Sequence, residues 1–371
     1  MDRPAPLPLP VDALPEALRR FASADAPGPA RMMAAKGVVP VKGGDLVTLL
    51  CQLSADPDEK VAAAARGTLE GLPPAVLLPA CASPMPESVL DHLAQVFGSR
   101  DDVLDAIVQN GATSSGTIAM VARFCSESMS ELIAVNQQRL LAAPAIVEAL
   151  YKNKRTRMST ADRLIELCAR NGVELDGIPA FQAHVEAIQG QLIPEPTDEP
   201  LPSDVAFSEL LAHDDDEDPI DVDPVEGTET LKEKFKPLSF RIREMTSSEK
   251  IRLALVGDAA ARLLLVRDVN KQVAYAAISS PSMGESEAAA IAHSKEVSED
   301  IIRFIGNRKE WTKSYEVKRA LVFNPKCPIG TSLRFLAHLR PNDLKALSRS
   351  RGVPNPVKTA AKQRLDKKAA P

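Results

Sequence analysis

Apolar residues recur at spacings of three and four through short stretches of this chain, separated by prolines, Asn-Gly pairs and acidic turns. In the first half the stretches are DLVTLLCQL, EKVAAAARGTLE, ESVLDHLAQVF, DVLDAIVQN, TIAMVARFC, ELIAVN, IVEALY, ADRLIELCAR and FQAHVEAIQ. A period of 3.6 puts the apolar positions of each on one stripe, so each predicts a helix of roughly three turns. The breaks carry Asp56-Pro57-Asp58, Leu72-Pro73-Pro74, Asn110-Gly111 and Asn171-Gly172, short turns that set successive helices antiparallel. The pattern resumes near Ser247, with Asp258, Asn270, Ser298, Asp343 and Asn355 at or near helix starts. A short oxygen-bearing side chain there accepts from otherwise unpaired N–H groups. Aromatic residues make up 4% of the chain against 44% hydrophobic, a balance suited to helix packed on helix. The expected fold class is all-α.

A length of 371 residues exceeds what one core holds, so two folded parts are expected. From Gln191 to Thr228 there is no Lys or Arg, and residues 213–224 read HDDDEDPIDVDP. Such a run repels itself and extends. The expected layout is a disordered Pro/Ala-rich arm over 1–42, a helical domain over 43–190, a disordered acidic linker over 191–239 and a helical domain over 240–367. Charge divides along the same line. Residues 1–228 hold 17 Lys+Arg against 35 Asp+Glu, a net −18, whereas 229–371 hold 28 against 15, a net +13.

One pattern recurs in both halves. Asp56-Pro57-Asp58 precedes Val61, Ala64, Ala65 and Leu69; Asp268-Val269-Asn270 precedes Val273, Ala276 and Ala277; Asn355-Pro356 runs into Val357, Ala360, Ala361 and Leu365. The Val and the Ala pair share a helical stripe, and the alanines let a neighbouring helix come close. The stretch D-P-D-x-x-V-A-A-A-A resembles the second-helix opening of a HEAT repeat, and the flanking helix pairs are similar to HEAT or armadillo arrays. The block from Lys250 to Leu365, with ARLLLVRDVN and LVFNPKCP, also resembles a family of uncharacterised bacterial proteins. That resemblance implies two irregular α-solenoid domains and no activity. The competing reading is an irregular helical bundle with coincidental Ala pairs.

Chemistry is sparse. The chain has no GxGxxG, GxxxxGK[ST], HExxH or GxSxG, so no catalytic residue, cofactor or metal ligand is assigned. Its histidines, His92, His184, His213, His293 and His338, are scattered singly. The acidic run fails as a calcium loop, because counting from Asp214 puts Pro219 where the turn needs glycine and Val225 where the site needs a bidentate glutamate. Cys51, Cys81, Cys125, Cys168 and Cys327 form no CxxC pair and read as small buried hydrophobes. With no secretory apolar run after MDRPAPLPLP, they favour a reducing, cytoplasmic setting. No stretch approaches a membrane span.

Two surfaces qualify as binding candidates. Basic residues recur at helical spacing as Lys345 with Arg349 and Lys358 with Lys362, while Arg303, Arg308, Lys309 and Lys313 surround Trp311, with Tyr315 one turn on. Exposed aromatics among cations suit phosphate neutralisation with base stacking; solvated helix faces are the plainer reading. Within the linker, Val205, Phe207, Leu210 and Leu211 lie on one helical face, a segment able to dock into a groove. The leading expectation is a non-enzymatic scaffold that binds a protein partner. The alternative is a nucleic-acid-binding module in the second half, with the acidic linker competing for its surface.

Overall fold

The computed structural model describes residues 4–23, 26–212, 218–222 and 229–369. The described residues form twenty-four α-helices and a single two-stranded antiparallel hairpin, so the fold is all-α. They divide into two compact units, 1–177 and 178–371.

The first unit opens with α1 (Glu16–Ala22), α2 (Gly28–Ala35), α3 (Gly43–Leu53) and α4 (Glu59–Glu70). It continues through α5 (Pro74–Ala82), α6 (Glu87–Val96), α7 (Asp101–Gln109) and α8 (Ser115–Ala122). It closes with α9 (Glu127–Ala134), α10 (Gln137–Ala142), α11 (Pro144–Lys152) and α12 (Met158–Arg170). Packing is between near neighbours in the chain: α3 on α4 and α5, α5 on α7, α6 on α8, and α8 on α11. The turn after α12 is set by Gly172 at φ +66. There the amides of Gly172 and Val173 reach back to Ala169 O and Cys168 O, closing the helix with a left-handed residue that glycine adopts without strain.

The arm over 1–42, expected to be disordered apart from one docking helix along the amphipathic stretch Ala13, Leu14, Ala17, Leu18 and Phe21, carries α1 and α2, which pack on α3 and α4. The reason lies in its one amphipathic stretch. Leu14 and Leu18 are buried, and Gln52 both donates to Leu9 O and accepts from Leu9 N at 2.8 Å. Burial of those leucines offsets the ordering of a proline-rich segment.

The second unit begins with α13 (Phe181–Ile188), α14 (Pro202–Leu211), β1 (Ile220–Val222), β2 (Glu229–Leu231) and α15 (Lys236–Glu244). It goes on with α16 (Ser247–Val256), α17 (Ala259–Leu265), α18 (Lys271–Ile278), α19 (Glu285–His293) and α20 (Glu299–Asn307). It ends with α21 (Tyr315–Phe323), α22 (Ile329–Leu336), α23 (Pro341–Arg349) and α24 (Asn355–Ala369). Here α16 packs on α18, α19 on α21, α22 on α24, and α23 on α24. The boundary falls before α13 rather than at 190, because α13 packs on α16 and α18 with His184 and Ile188 buried. Of the linker expected to be disordered over 191–239, residues 191–201 carry no helix or strand, whereas helix α14 and the residues from 229 onward are folded. Helix α14 packs on α16, and Phe235 is buried in a 3-10 turn that leads into α15. Strand β1 pairs with β2 in the register Ile220↔Leu231. Of the acidic run, residues 213–217 and 223–224 lie outside the described residues.

The recurring sequence pattern has a recurring geometry. Asp56 Oδ1 accepts the N–H of Asp58, which caps Lys60 N, while Arg31 Nη1 reaches Asp56 at 2.6 Å. In the second unit Asp268 Oδ1 accepts the N–H of Asn270, which caps Gln272 N, while Lys250 Nζ reaches Asp268 at 3.0 Å. Each time an acid before the helix ties its start to a basic residue on an earlier helix. The stripe beyond it is buried at Val61 and Ala65, at Val273 and Ala277, and at Val357 and Ala361.

A second recurring tie involves residues that no sequence argument singled out as functional. Asn110, just past α7, donates through Nδ2 to Cys81 O and Ser83 O, at 2.7 and 2.8 Å. Asn153, past α11, donates to Ala122 O and Cys125 O at 3.0 Å. Asn324, past α21, donates to Ala292 O and Ser294 O at 2.8 Å. All three are buried. In each, Oδ1 accepts the amide two residues on, from Ala112, Arg155 and Lys326. Ser280, past α18, keeps the same turn with longer bonds, to Leu255 O and from Ser282 N. Carbonyls at a helix end lack intrahelical partners, and a buried amide from another helix end supplies the missing donors.

Candidate functional site

The second unit carries a cleft of about 570 Å³ on its surface. Its apolar wall is Ala183, Val266, Val269, Tyr275, Val297 and Ile301, drawn from α13, α18, α20 and the turns before α18 and α20. Val269 is the middle residue of Asp268-Val269-Asn270. With Asp268 and Asn270 both held by hydrogen bonds into the turn, the side chain between them points outward and is 100% exposed. Pro57, also exposed, holds the same place in the first unit.

Tyr275 is 48% exposed and closes one side of the cleft. Its ring meets Phe304 edge-on, centroids 5.4 Å apart, and Phe304 in turn meets Trp311 at 6.1 Å. Arg308 lies over Phe304 at 5.2 Å and over Trp311 at 5.4 Å. The column fixes the Tyr275 ring, so little rotamer freedom remains to lose on binding. At the rim Lys271 and Asp300 face each other at 3.5 Å, both largely exposed. An ion pair so solvated contributes little, so either charge can turn to a ligand.

The basic surface expected around Trp311 is rearranged. Trp311 is only 8% exposed, covered by Phe304 and Arg308, so it has no open face on which a base can stack. Arg303 is paired with Glu299 at 2.6 Å and lies 3.8 Å from Asp300. Lys309, Lys313, Lys345, Arg349 and Lys362 are exposed, and Lys358 is half-buried.

Tyr315 belongs to a second cleft, of about 690 Å³, lined with it by His293, Ser314, Glu316, Arg319, Arg340 and Asp343. The Tyr315 hydroxyl donates to Asp343 and accepts the backbone N–H of Arg340 at 3.0 Å. Arg319 Nε donates to the other Asp343 oxygen at 2.9 Å. Asp343, in the first turn of α23, thus turns its carboxylate to side chains rather than to the helix start. The bond from Tyr315, then that from Arg319, holds its carboxyl below the usual carboxylate range, while burial and then the Asp343 bond push the Tyr315 phenol up.

A depressed carboxyl stabilises the fold above its unfolded pKa and loses that contribution as pH falls through the folded value. The stability difference between the native chain and Asp343→Asn is therefore expected to be largest near neutrality and to shrink below pH ~4. Denaturant unfolding of both proteins between neutral and acid pH measures it; a gap that stays constant refutes the assignment.

The linker segment is already docked. Phe207, Leu210 and Leu211 are buried and Val205 is exposed. The Phe207 ring lies 5.2 Å from the guanidinium carbon of Arg252, which is wholly buried on α16. Arg241 adds bonds to Ala206 O at 2.9 Å and to Glu209 at 3.2 Å. The groove expected to receive this segment thus lies within the same unit.

The cysteines are all buried. Burial pushes Cys81, Cys125 and Cys168 up to about 11 and drives Cys51 and Cys327 upward as well, so their thiols stay protonated near neutral pH. Among the described residues, no helix is long and apolar enough to cross a membrane. The chain matches no protein-family model, no curated protein and no solved structure.

Proposed function

We propose that this protein is a non-enzymatic scaffold built of HEAT-like helical repeats, and that the cleft at Val269 and Tyr275 grips a peptide segment of a protein partner. The observation that carries the reading is Val269. A turn holds it fully in solvent at the mouth of an apolar cleft, where water is a poor neighbour and an apolar anchor a good one. The rim pair of Lys271 and Asp300 suits an anchor flanked by one acidic and one basic residue. Two further features support the repeat architecture. The Asp56 and Asp268 turns match, and the buried Asn110 and Asn153 stand 43 residues apart, within the length of about 40–47 residues that HEAT and armadillo units occupy. On this reading each unit is an irregular solenoid.

The competing nucleic-acid reading rests on the exposed Lys345, Arg349 and Lys362. It loses Trp311 as a stacking platform.

The test is selection of the full chain against a displayed random-peptide library. Enriched peptides are expected to share one aromatic or long aliphatic anchor. Val269→Asp, which touches no core, is expected to weaken them by about ten- to a hundredfold without changing the unfolding transition. No enriched peptide, together with tight nucleic-acid binding that falls steeply with salt, hands the function to the alternative.

A further inference from the structure

The second cleft differs from the first in chemistry. Two of its residues present guanidiniums, and both are held against aromatic rings, Arg319 at 5.3 Å from the centroid of Phe323 and Arg340 at 4.5 Å from that of Tyr315. Arg319 is held a second time, through its Nε bond to Asp343 at 2.9 Å. Among the described residues, the outer nitrogens of Arg319 take part in no hydrogen bond, and the guanidinium of Arg340 makes neither a hydrogen bond nor an ion pair. Two planar donor forks are therefore fixed by stacking, line one space of about 690 Å³, and keep their hydrogen-bonding edges open.

We propose that this cleft binds the dianion of a phosphate monoester. Guanidinium forks match phosphate oxygens in pairs, and a fork already immobilised loses little freedom on binding. Asp343 and Glu316 line the same space as the two arginines, so net charge alone does not select the ligand. Geometry does: a phosphate monoester has three acceptor oxygens to divide between two forks, where a carboxylate has two. Ser314 and His293, also in the lining, supply donors for an oxygen the arginines leave over. The volume leaves room for the group that carries the phosphate, which is either a phosphorylated side chain or a small phosphorylated molecule.

The experiment is calorimetric titration of the full chain with inorganic phosphate, with capped O-phosphoserine and capped serine, and with adenosine monophosphate. Saturable binding of at least one phosphorylated probe, and none of capped serine, is expected. Preference for phosphoserine identifies a phosphorylated protein as the source, and preference for the nucleotide a small molecule. Arg340→Ala is expected to weaken binding by about ten- to a hundredfold. Because Arg340 is exposed, its removal leaves the fold intact, which an unchanged unfolding transition verifies. Arg351→Ala, another exposed cation of this unit, is expected to change binding by less than about twofold. Absence of saturable binding by all three phosphates, or equal losses in Arg340→Ala and Arg351→Ala, overturns the proposal.

Discussion

Asn324→Ala is expected to destabilise the second unit by about 2–4 kcal/mol, because it leaves two buried carbonyls without partners at about 1–3 kcal/mol each and a part-buried amide that water reaches more easily. Those groups are the carbonyls of Ala292 and Ser294 and the amide of Lys326. The side chain that serves them is itself buried, so water has no easy route to replace it. Serine is the informative second substitution. Ser280 occupies the same place after α18 and makes the same turn with longer bonds, 3.5 Å to Leu255 O and 3.4 Å from Ser282 N. Asn324→Ser is therefore expected to fall between the native chain and alanine. Exposed Asn307, at the end of α20, provides the contrast, with Asn307→Ala expected within about 0.5 kcal/mol of the native chain. Urea unfolding followed by hydrogen exchange of the amides around 292–327 checks all three. If Asn324→Ala and Asn307→Ala prove equally mild, the tie is ornamental and the repeat argument loses its best geometric support.

The second large effect is expected at Phe207. Phe207→Ala removes a buried ring that anchors α14 and covers the guanidinium of Arg252. Large-to-small changes at such sites cost about 3–5 kcal/mol, and here the lost contacts are concentrated on one short helix. The expected outcome is local release of α14 rather than global unfolding, since α14 follows residues 191–201, which lack helix or strand. Limited proteolysis reads this directly: the variant is expected to be cut between 191 and 211 at low protease, while Val205→Ala, at an exposed position of the same helix, is cut like the native chain. Resistance of Phe207→Ala to cleavage there would mean that α14 is held by Arg241 and Leu210 alone.

Much of the helical pattern was legible in the chain, for a physical reason. A helix needs only neighbours three and four residues away to define its apolar stripe, so Val61 with Ala65, and Val273 with Ala277, declared their buried face locally. Caps are also local, which is why Asp258 and Asn270 start α17 and α18. Asp343 shows the limit. It stands in the first turn of its helix as expected, yet its carboxylate turns to Tyr315 and Arg319, residues brought near by packing. Composition misleads near the start of each unit. Proline-rich and basic-free stretches read as disordered, but a few apolar anchors, Leu14 and Leu18 in one and Phe207 and Phe235 in the other, find buried places.

The buried asparagines were half visible. Asn110 and Asn153 recur at 43 residues, and Cys81, Cys125 and Cys168 recur at 44 and 43, yet a lone asparagine after a helix looks like any turn residue until its carbonyl partners are in place. The two clefts were less visible still. The spacing marks Trp311 and Tyr315 alike as aromatics among cations, but Trp311 goes into an aromatic column, and nothing local distinguishes the two.

The sequence by itself determined the all-α class, most helix starts and stops, and the two halves of opposite charge, because each depends on interactions within a few residues or on composition alone. Only the tertiary structure decided that α14 lies on its own unit, that Trp311 is covered, that Val269 faces an apolar cleft and that Arg319 and Arg340 line one space. Those outcomes depend on contacts between residues far apart in the chain, where the same helical stripe has several places to pack and total burial selects among them.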